Sequence, residues 1–427
     1  MNNLASEIQN QELYDAMKLL IVKVSNILLK STWKRPFADI DLLLFDHNEQ
    51  IAQLPESKVC ADIMQNDVII KREFGSKFSD NAGNPVEKPG VSTIARSYFL
   101  PLLIQYFRAV EFFEINEDVF HALYLRFEEY LYSDSLRYEV LAPLAGFTCD
   151  VDLIQLEKNL LIRKMKEEEV ERLWKPKEPF LPPLIDFIDA SVLTFTLETT
   201  FAHKKGARAL ESSEIFNSVI TILRLFKPGG VNFFFTQRTP LMWGPIEGIA
   251  YSFKQRGDFF GRGRYNLTKD EIDSFVTFWK EFRDVIVKGE FQGHNYIQIA
   301  LKRLNLGLEE NNLEDKLIDY FVAFEALYLL ETLELSYRLS LRTATLLGDT
   351  SEERNSIFKL MKDAYALRSN IVHGKKPKIG KKIVDLKDYV PKLENYLRQS
   401  IIKFLRMPIQ YRNQALILRD LDQQILR

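Results

Sequence analysis

Apolar positions in this chain begin at helical spacing, pass into alternation, and return to helical spacing for the last third. From Glu7 to about Lys30, the residues Leu13, Met17, Leu20, Ile21, Val24, Ile27 and Leu28 recur every three or four positions, the stripe of one helix. The Trp33 to Leu54 segment is mixed, and Phe74 to Gly90 (FGSKFSDNAGNPVEKPG) is polar and rich in Gly, Asn and Pro, which predicts a long exposed loop. Helical patterns follow from about Thr93 to Phe113, with Pro101 as a kink point, and from a capping Asn116 to about Tyr132.

The period then shortens. Asp152 to Lys164 (DLIQLEKNLLIRK) places two apolar stretches about Glu157-Lys158-Asn159 and reads as a hairpin. Ser191 to Phe201 alternates, with Leu193, Phe195, Leu197 and Phe201 opposite Thr194, Thr196, Glu198 and Thr200, as in a half-buried strand. Between them, the charged stretch Lys164 to Pro183 ends in Pro176, Pro179, Pro182 and Pro183, a boundary signal. A short helix from Ser212 or Ser213 to Phe226 stops at Lys227-Pro-Gly-Gly230, Val231 to Thr236 reads as a strand, and Tyr251 to Tyr265 as a loop-rich close.

After Thr268, an apt N-cap, helices are predicted over about Lys269–Lys288, His294–Leu304, Leu313–Leu333, Ser336–Leu347, Ser351–His373, Pro391–Arg406 and Tyr411–Ile425. Thr350-Ser-Glu-Glu353 is a capping box, and Gly374 followed by Pro377 is a helix stop. The expected fold is therefore α+β: a mostly helical region over 1–135, an α+β region with antiparallel strands over 136–266, and an all-α bundle over 267–427. No repeat of fixed period runs through it.

Composition narrows the function classes. Lysine and arginine total 57 against 59 acidic residues, so any RNA binding must rest on local patches and not on a global positive field. The only cysteines, Cys60 and Cys149, are far apart, which argues against a disulfide framework or a thiolate metal site and fits a reducing cytoplasm. No basic leader and no long uncharged apolar run precede or interrupt the pattern, so neither secretion nor a membrane span is expected. Nucleotide P-loop, HExxH, GxSxG and paired-cysteine zinc spacings are missing, and five scattered histidines offer little for a metal site; no metal or cofactor is expected.

One constellation carries chemistry. Arg368-Ser-Asn-Ile-Val-His373 puts a permanent cation and a group titrating near neutrality on neighbouring turns at a helix end. In RNA the ribose 2′-OH is a nucleophile already held beside the phosphate, so cleavage needs only proton transfer, suited to His373, and stabilisation of the phosphorane, suited to the planar donor fork of Arg368. A plain charge cluster at a helix C-terminus, favoured by the macrodipole, is the alternative.

The order and intervals of Asp319-Tyr-Phe-Val-Ala-Phe-Glu325-Ala-Leu327, Leu341-Arg342-Thr-Ala344 and Tyr365-Ala-Leu-Arg368-Ser-Asn-Ile-Val-His373-Gly374 resemble the HEPN domain of the ApeA-like family over about 313 to 375, fading back to about 268. Leu141 to Trp174 looks loosely like the upstream region of the same bacterial proteins. The resemblance implies a HEPN bundle, catalytic Arg368 and His373 with Asn370 as a polar helper, and Glu325 and Arg342 in support. It also implies a metal-independent endoribonuclease that works as a homodimer through the C-terminal domain; apolar positions near the end of the signature helix, such as Ile371 and Val372, are expected in the contact. An N-terminal region that senses a trigger or restrains the nuclease, a trigger or inhibitor protein as partner, and a role in antiphage defence or as a toxin complete what it implies. The same family also has non-catalytic members, so a dimerisation or RNA-binding module is the alternative. One departure is that Ser369 follows the arginine where a strongly polar residue is usual.

Glu325 and Arg342, set among apolar neighbours, fit a structural ion pair between helices better than proton donors. Lys375, Lys376, Lys378, Lys381 and Lys382 either hold RNA phosphates or form a solvated loop. Arg256, Arg262 and Arg264, interleaved with aromatics, suit RNA binding, and a glycine-turned hairpin accounts for them equally. His47, His121, His203 and His294 have no partner at catalytic spacing and are read as packing or surface residues.

Overall fold

The N-terminal stripe forms the first helix, α1 (Gln11–Leu29), which buries Leu13, Met17, Leu20, Ile21, Val24 and Leu28. The computed structural model describes residues 8–30, 40–79, 84–113, 115–174, 194–204, 212–244, 250–253, 265–288, 295–380, 382–408 and 412–425. The chain divides into two compact units. Unit 1 comprises Met1–Val140, Thr199–Leu210 and Gln237–Tyr251; unit 2 comprises Leu141–Glu198, Glu211–Thr236 and Ser252–Arg427. The fold class is α+β, as the alternation of periods predicted.

In unit 1, α1 is followed by α2 (Ile40–Asp46), α3 (Asn48–Gln53), α4 (Pro55–Asn66) and α5 (Val68–Lys77). The start of α1 is tied down: the Asn10 side chain caps Leu13, and the Gln9 and Asn10 amides donate to the buried Glu128 carboxylate at 2.9 and 2.8 Å. The long loop predicted from Phe74 begins later, because Asp67 caps α5 through Ile69 and Ile70 and the helix runs on to bury Phe74 completely. The next helix starts as α6 (Val91–Ile94), widens through a π-turn at Ala95–Phe99, and continues as α7 (Leu100–Val110). Leu100 N–H reaches back to the Ala95 carbonyl. Pro101 has no N–H for the Ser97 carbonyl, and the chain meets it with this wider turn instead of a break. Helix α8 (Glu117–Tyr132) is capped by Asn116, as expected. Trp243 packs edge-on against Phe127 and Tyr130, with ring centroids 4.8 and 5.0 Å away.

The strands are β1 (Ser135–Ala145), β2 (Phe147–Cys149), β3 (Leu153–Glu157), β4 (Leu160–Lys164), β5 (Phe195–Lys204), β6 (Asn232–Phe233), β7 (Phe235–Pro240), β8 (Ala250–Phe253) and β9 (Tyr265–Leu267). A seven-stranded sheet has the order β3-β4-β5-β1-β7-β8, with β6 also paired to β1. The predicted hairpin is β3–β4, with Ile154 opposite Ile162. Alongside these strands lies a parallel pair that the alternation could not announce, β2 with β9, matching Phe147 to Tyr265. On strand β5, which lies between β4 and β1, the face with Phe195, Leu197 and Thr199 is buried as expected; on the opposite face Thr196 is also enclosed, whereas Thr194, Glu198 and Thr200 are partly exposed. Helices α9 (Glu167–Trp174) and α10 (Ser212–Phe226) complete this part of the chain. The proline cluster at 176–183 and residues 191–193 lie outside the described residues.

The last part of unit 2 holds α11 (Ile272–Lys288), α12 (Asn295–Glu309), α13 (Leu313–Tyr328), α14 (Leu335–Leu347), α15 (Ser351–Val372), a short hairpin β10 (Lys378–Ile379) and β11 (Lys382–Ile383), α16 (Val390–Arg406) and α17 (Gln414–Ile425). Thr268 with Glu271, and Thr350 with Glu353, form the expected capping boxes. Helix α13 stops five residues short of the predicted Leu333. Glu331, in the resulting loop, meets Arg342 of α14, which is 1% exposed. Arg342 gives two hydrogen bonds to Glu331 (2.9 and 2.8 Å), two to Asp422 of α17 (2.8 and 2.7 Å) and one to the Tyr328 carbonyl (2.7 Å). These bonds hold the Glu331 carboxyl down at about 2. Among the described residues no helix is long and apolar enough to cross a membrane.

Removing a guanidinium that closes three elements at once should be costly, since it opens a cavity and leaves the Tyr328 carbonyl without its donor, while Glu331 and Asp422 are partly exposed and return to water. Arg342→Ala is expected to lose about 2–5 kcal/mol of stability. Urea unfolding, followed by hydrogen exchange at α14 amides, measures it, and a loss below 1 kcal/mol would show that Arg342 is dispensable to the bundle.

Candidate active site at the end of α15

Helix α15 buries Ile357, Met361, Ala364 and Leu367 along one stripe, which sets Tyr365 and Arg368 on its flank. The facing surface belongs to α13, whose residues Phe321 and Glu325 lie one turn apart. Phe321 meets the Tyr365 ring edge-on at 5.5 Å and 90°. Burial, followed by the charge of nearby Glu325, raises the Tyr365 pKa. Arg368 Nη2 lies 3.5 Å from Glu325 Oε1, and the guanidinium carbon is 5.8 Å from the Tyr365 ring centroid. The Arg368 side chain is about a quarter exposed, yet its Nε is buried with no hydrogen-bond partner.

The helix ends as its sequence foretold. His373 is the C-cap residue (φ −90°, ψ 15°), and Gly374 follows in the left-handed region at φ +69°. Gly374 N–H bonds the Ile371 carbonyl at 2.9 Å and Lys375 N–H bonds the Asn370 carbonyl at 2.8 Å, the paired bonds of a Schellman motif. That closure leaves His373 exposed at the tip, together with Lys375, Lys376 and Lys378. Val372, expected at a dimer contact, is 50% exposed, and Ile371 is partly buried.

The supporting pair is arranged differently from the sequence expectation. Glu325 and Arg342 do not pair with each other: Glu325 faces Arg368, whereas Arg342 is taken by Glu331 and Asp422. Both carboxylates around Arg342 had escaped notice, because nothing in the spacing links position 342 to a loop eleven residues back or to a helix near the C-terminus. Tyr365 was also missed, although its place three residues before Arg368 is the neighbouring-turn spacing that could have found it. Asn370 uses its side-chain amide on the Lys378 carbonyl at 3.0 Å. Arg256, Arg262, Arg264, His294 and Lys381 lie outside the described residues. His47 bonds its own helix through the Leu43 carbonyl, and His121 packs edge-on against Tyr14, so both have ordinary roles.

Comparison with protein-family models, with curated proteins and with solved structures returns no match for this chain. The site offers a partly exposed guanidinium beside a carboxylate and a phenol ring, and an imidazole at an exposed helix tip.

If the Glu325–Arg368 contact serves the site and not the fold, its loss should be cheap, since each side chain is about a quarter exposed and the contact is loose. Glu325→Gln is expected to cost no more than about 0.2–1 kcal/mol. Chemical denaturation decides this, and a loss of several kcal/mol would make the contact a core ion pair.

Proposed function

We propose that the chain is a metal-independent endoribonuclease of HEPN type that cuts RNA by attack of the ribose 2′-OH on the adjacent phosphate, with Arg368 and His373 as its catalytic residues. The observation that carries this reading is Arg368, a partly exposed guanidinium set beside Glu325 and the Tyr365 ring, near the end of a helix whose cap residue is an exposed histidine. A phosphate oxygen is the acceptor such a fork fits best. As the 2′-oxygen bonds to phosphorus, its proton passes to an imidazole; the bond to the 5′-oxygen breaks as that oxygen takes up a proton, and Arg368 stabilises the phosphorane between the two events. The resemblance of residues 313–375 to ApeA-like HEPN domains supports the same chemistry. We extend the proposal to the N-terminal region as a sensing or restraining part of an antiphage or toxin effector. That extension rests on the resemblance.

Arg368→Ala and His373→Ala should each remain folded and lose about 10²- to 10⁴-fold in cleavage of total cellular RNA. Wild-type cleavage should persist in EDTA, leave 2′,3′-cyclic phosphate and 5′-hydroxyl ends, and fail on a substrate with 2′-deoxyribose at the scissile position. Cleavage of that substrate would remove the proposed mechanism. A wild type that binds RNA tightly and never cuts it would leave a non-catalytic module in its place.

Each chain supplies one His373, whereas the reaction uses one group to accept a proton and another to donate one. We propose that two chains pair about an axis near the α15 tip, with the half-exposed Val372 in the contact and one His373 from each side. Specific activity should therefore fall on dilution as the dimer dissociates. Undiminished activity at concentrations where light scattering finds only monomer would require a base from the same chain.

A further inference from the structure

The lysine run after His373 is a built element and not a loose tail. Strands β10 and β11 pair antiparallel, with Lys378 opposite Ile383 and Ile379 opposite Lys382. Only two residues connect them, and the first, Gly380, has φ +60°, the left-handed start that tight hairpin connections require. The foot is closed by Val384 N–H on the Pro377 carbonyl at 3.1 Å. Asn370 seats this hairpin on α15. Its side-chain Nδ2 donates to the Lys378 carbonyl at 3.0 Å, while its own carbonyl accepts from Lys375 N–H at 2.8 Å. One residue thus fixes both where the chain leaves the helix and where the hairpin begins.

The charge here is uncompensated. From Gly374 to Val384 the sequence holds five lysines and no carboxylate, in a chain of net charge −2. Lys375, Lys376, Lys378 and Lys382 are exposed. Directly opposed residues share a face of a hairpin, so Lys378 lies with Ile383 on one face and Lys382 with Ile379 on the other. A rigid duplex would meet one face only, whereas a pliable single strand can pass its phosphates across both. The first of these lysines stands two residues beyond His373.

We propose that the β10–β11 hairpin is a phosphate-gripping arm for single-stranded RNA and that Asn370 is its positioning residue, holding the lysines in register with the tip of α15. The identity of the polyanion rests on the ribonuclease reading of the same site. The arm itself is tested without cleavage, by anisotropy of a labelled single-stranded 2′-O-methyl RNA, which offers no 2′-OH nucleophile, titrated with the full chain between about 50 and 200 mM salt. Binding should weaken steeply with salt, and Lys378→Ala and Lys382→Ala should each lower the log–log slope by about 0.7. Asn370→Ala, which keeps every lysine, should also lower the slope. On cleavable RNA it should raise KM severalfold with kcat changed by less than about twofold.

Salt-independent binding, lysine variants that bind like the wild type, or duplex RNA bound as tightly as the single strand would each overturn the arm. A fall in kcat with KM held in Asn370→Ala would return Asn370 to the chemistry and overturn its positioning role. If the binding results come out as expected and no RNA is cut, the ribonuclease reading fails while the arm stands.

Discussion

A guanidinium taken out of water must find an acceptor for every N–H, and Arg342 does so: its five donors make five hydrogen bonds, to two carboxylates and a carbonyl. Those acceptors come from the end of α13, the loop after it, and α17, while the arginine belongs to α14. The same four pieces decide where the candidate site lies. Helix α13 carries Glu325, and α14 leads through a three-residue connection into α15, which carries Tyr365, Arg368 and His373. The same bonds of Arg342 tie down the end of α13 and the loop after it.

Set beside it, Arg368 is incompletely satisfied. It has one carboxylate at 3.5 Å, a ring beneath it and an Nε with no acceptor. A buried donor without a partner costs about 1–3 kcal/mol. The Schellman closure plays the complementary part by using up the helix-end carbonyls, so that the imidazole beyond them faces solvent and not the backbone.

Local signals were legible where local chemistry decides. Asn116, Thr350 with Glu353, and Gly374 with the residues around it ended or began helices as their side chains dictate. The stripe of α1 and the β3–β4 hairpin followed from periodicity alone. What could not be read depended on partners distant in sequence. Thr196 looks like a solvent-facing residue by alternation, yet the fold encloses it completely. Leu329 to Leu333 looks helical until Glu331 is seen drawn out to Arg342. At the site, Arg368 and His373 were visible as a spacing, whereas the facing of Glu325 toward Arg368 needed the packing of α13 on α15.

The seating of α1 has a consequence for how the chain is made. Its first turn is held by Glu128, whose carboxylate is 119 residues from Gln9 and 118 from Asn10. A ribosome adding about 5–20 residues per second takes roughly 6 to 24 seconds to cover that interval, and α1 cannot take its final seat earlier. Throughout that wait its apolar stripe, from Leu13 to Leu28, can lean only on helices already made, such as α4 with Cys60, Ala61 and Met64.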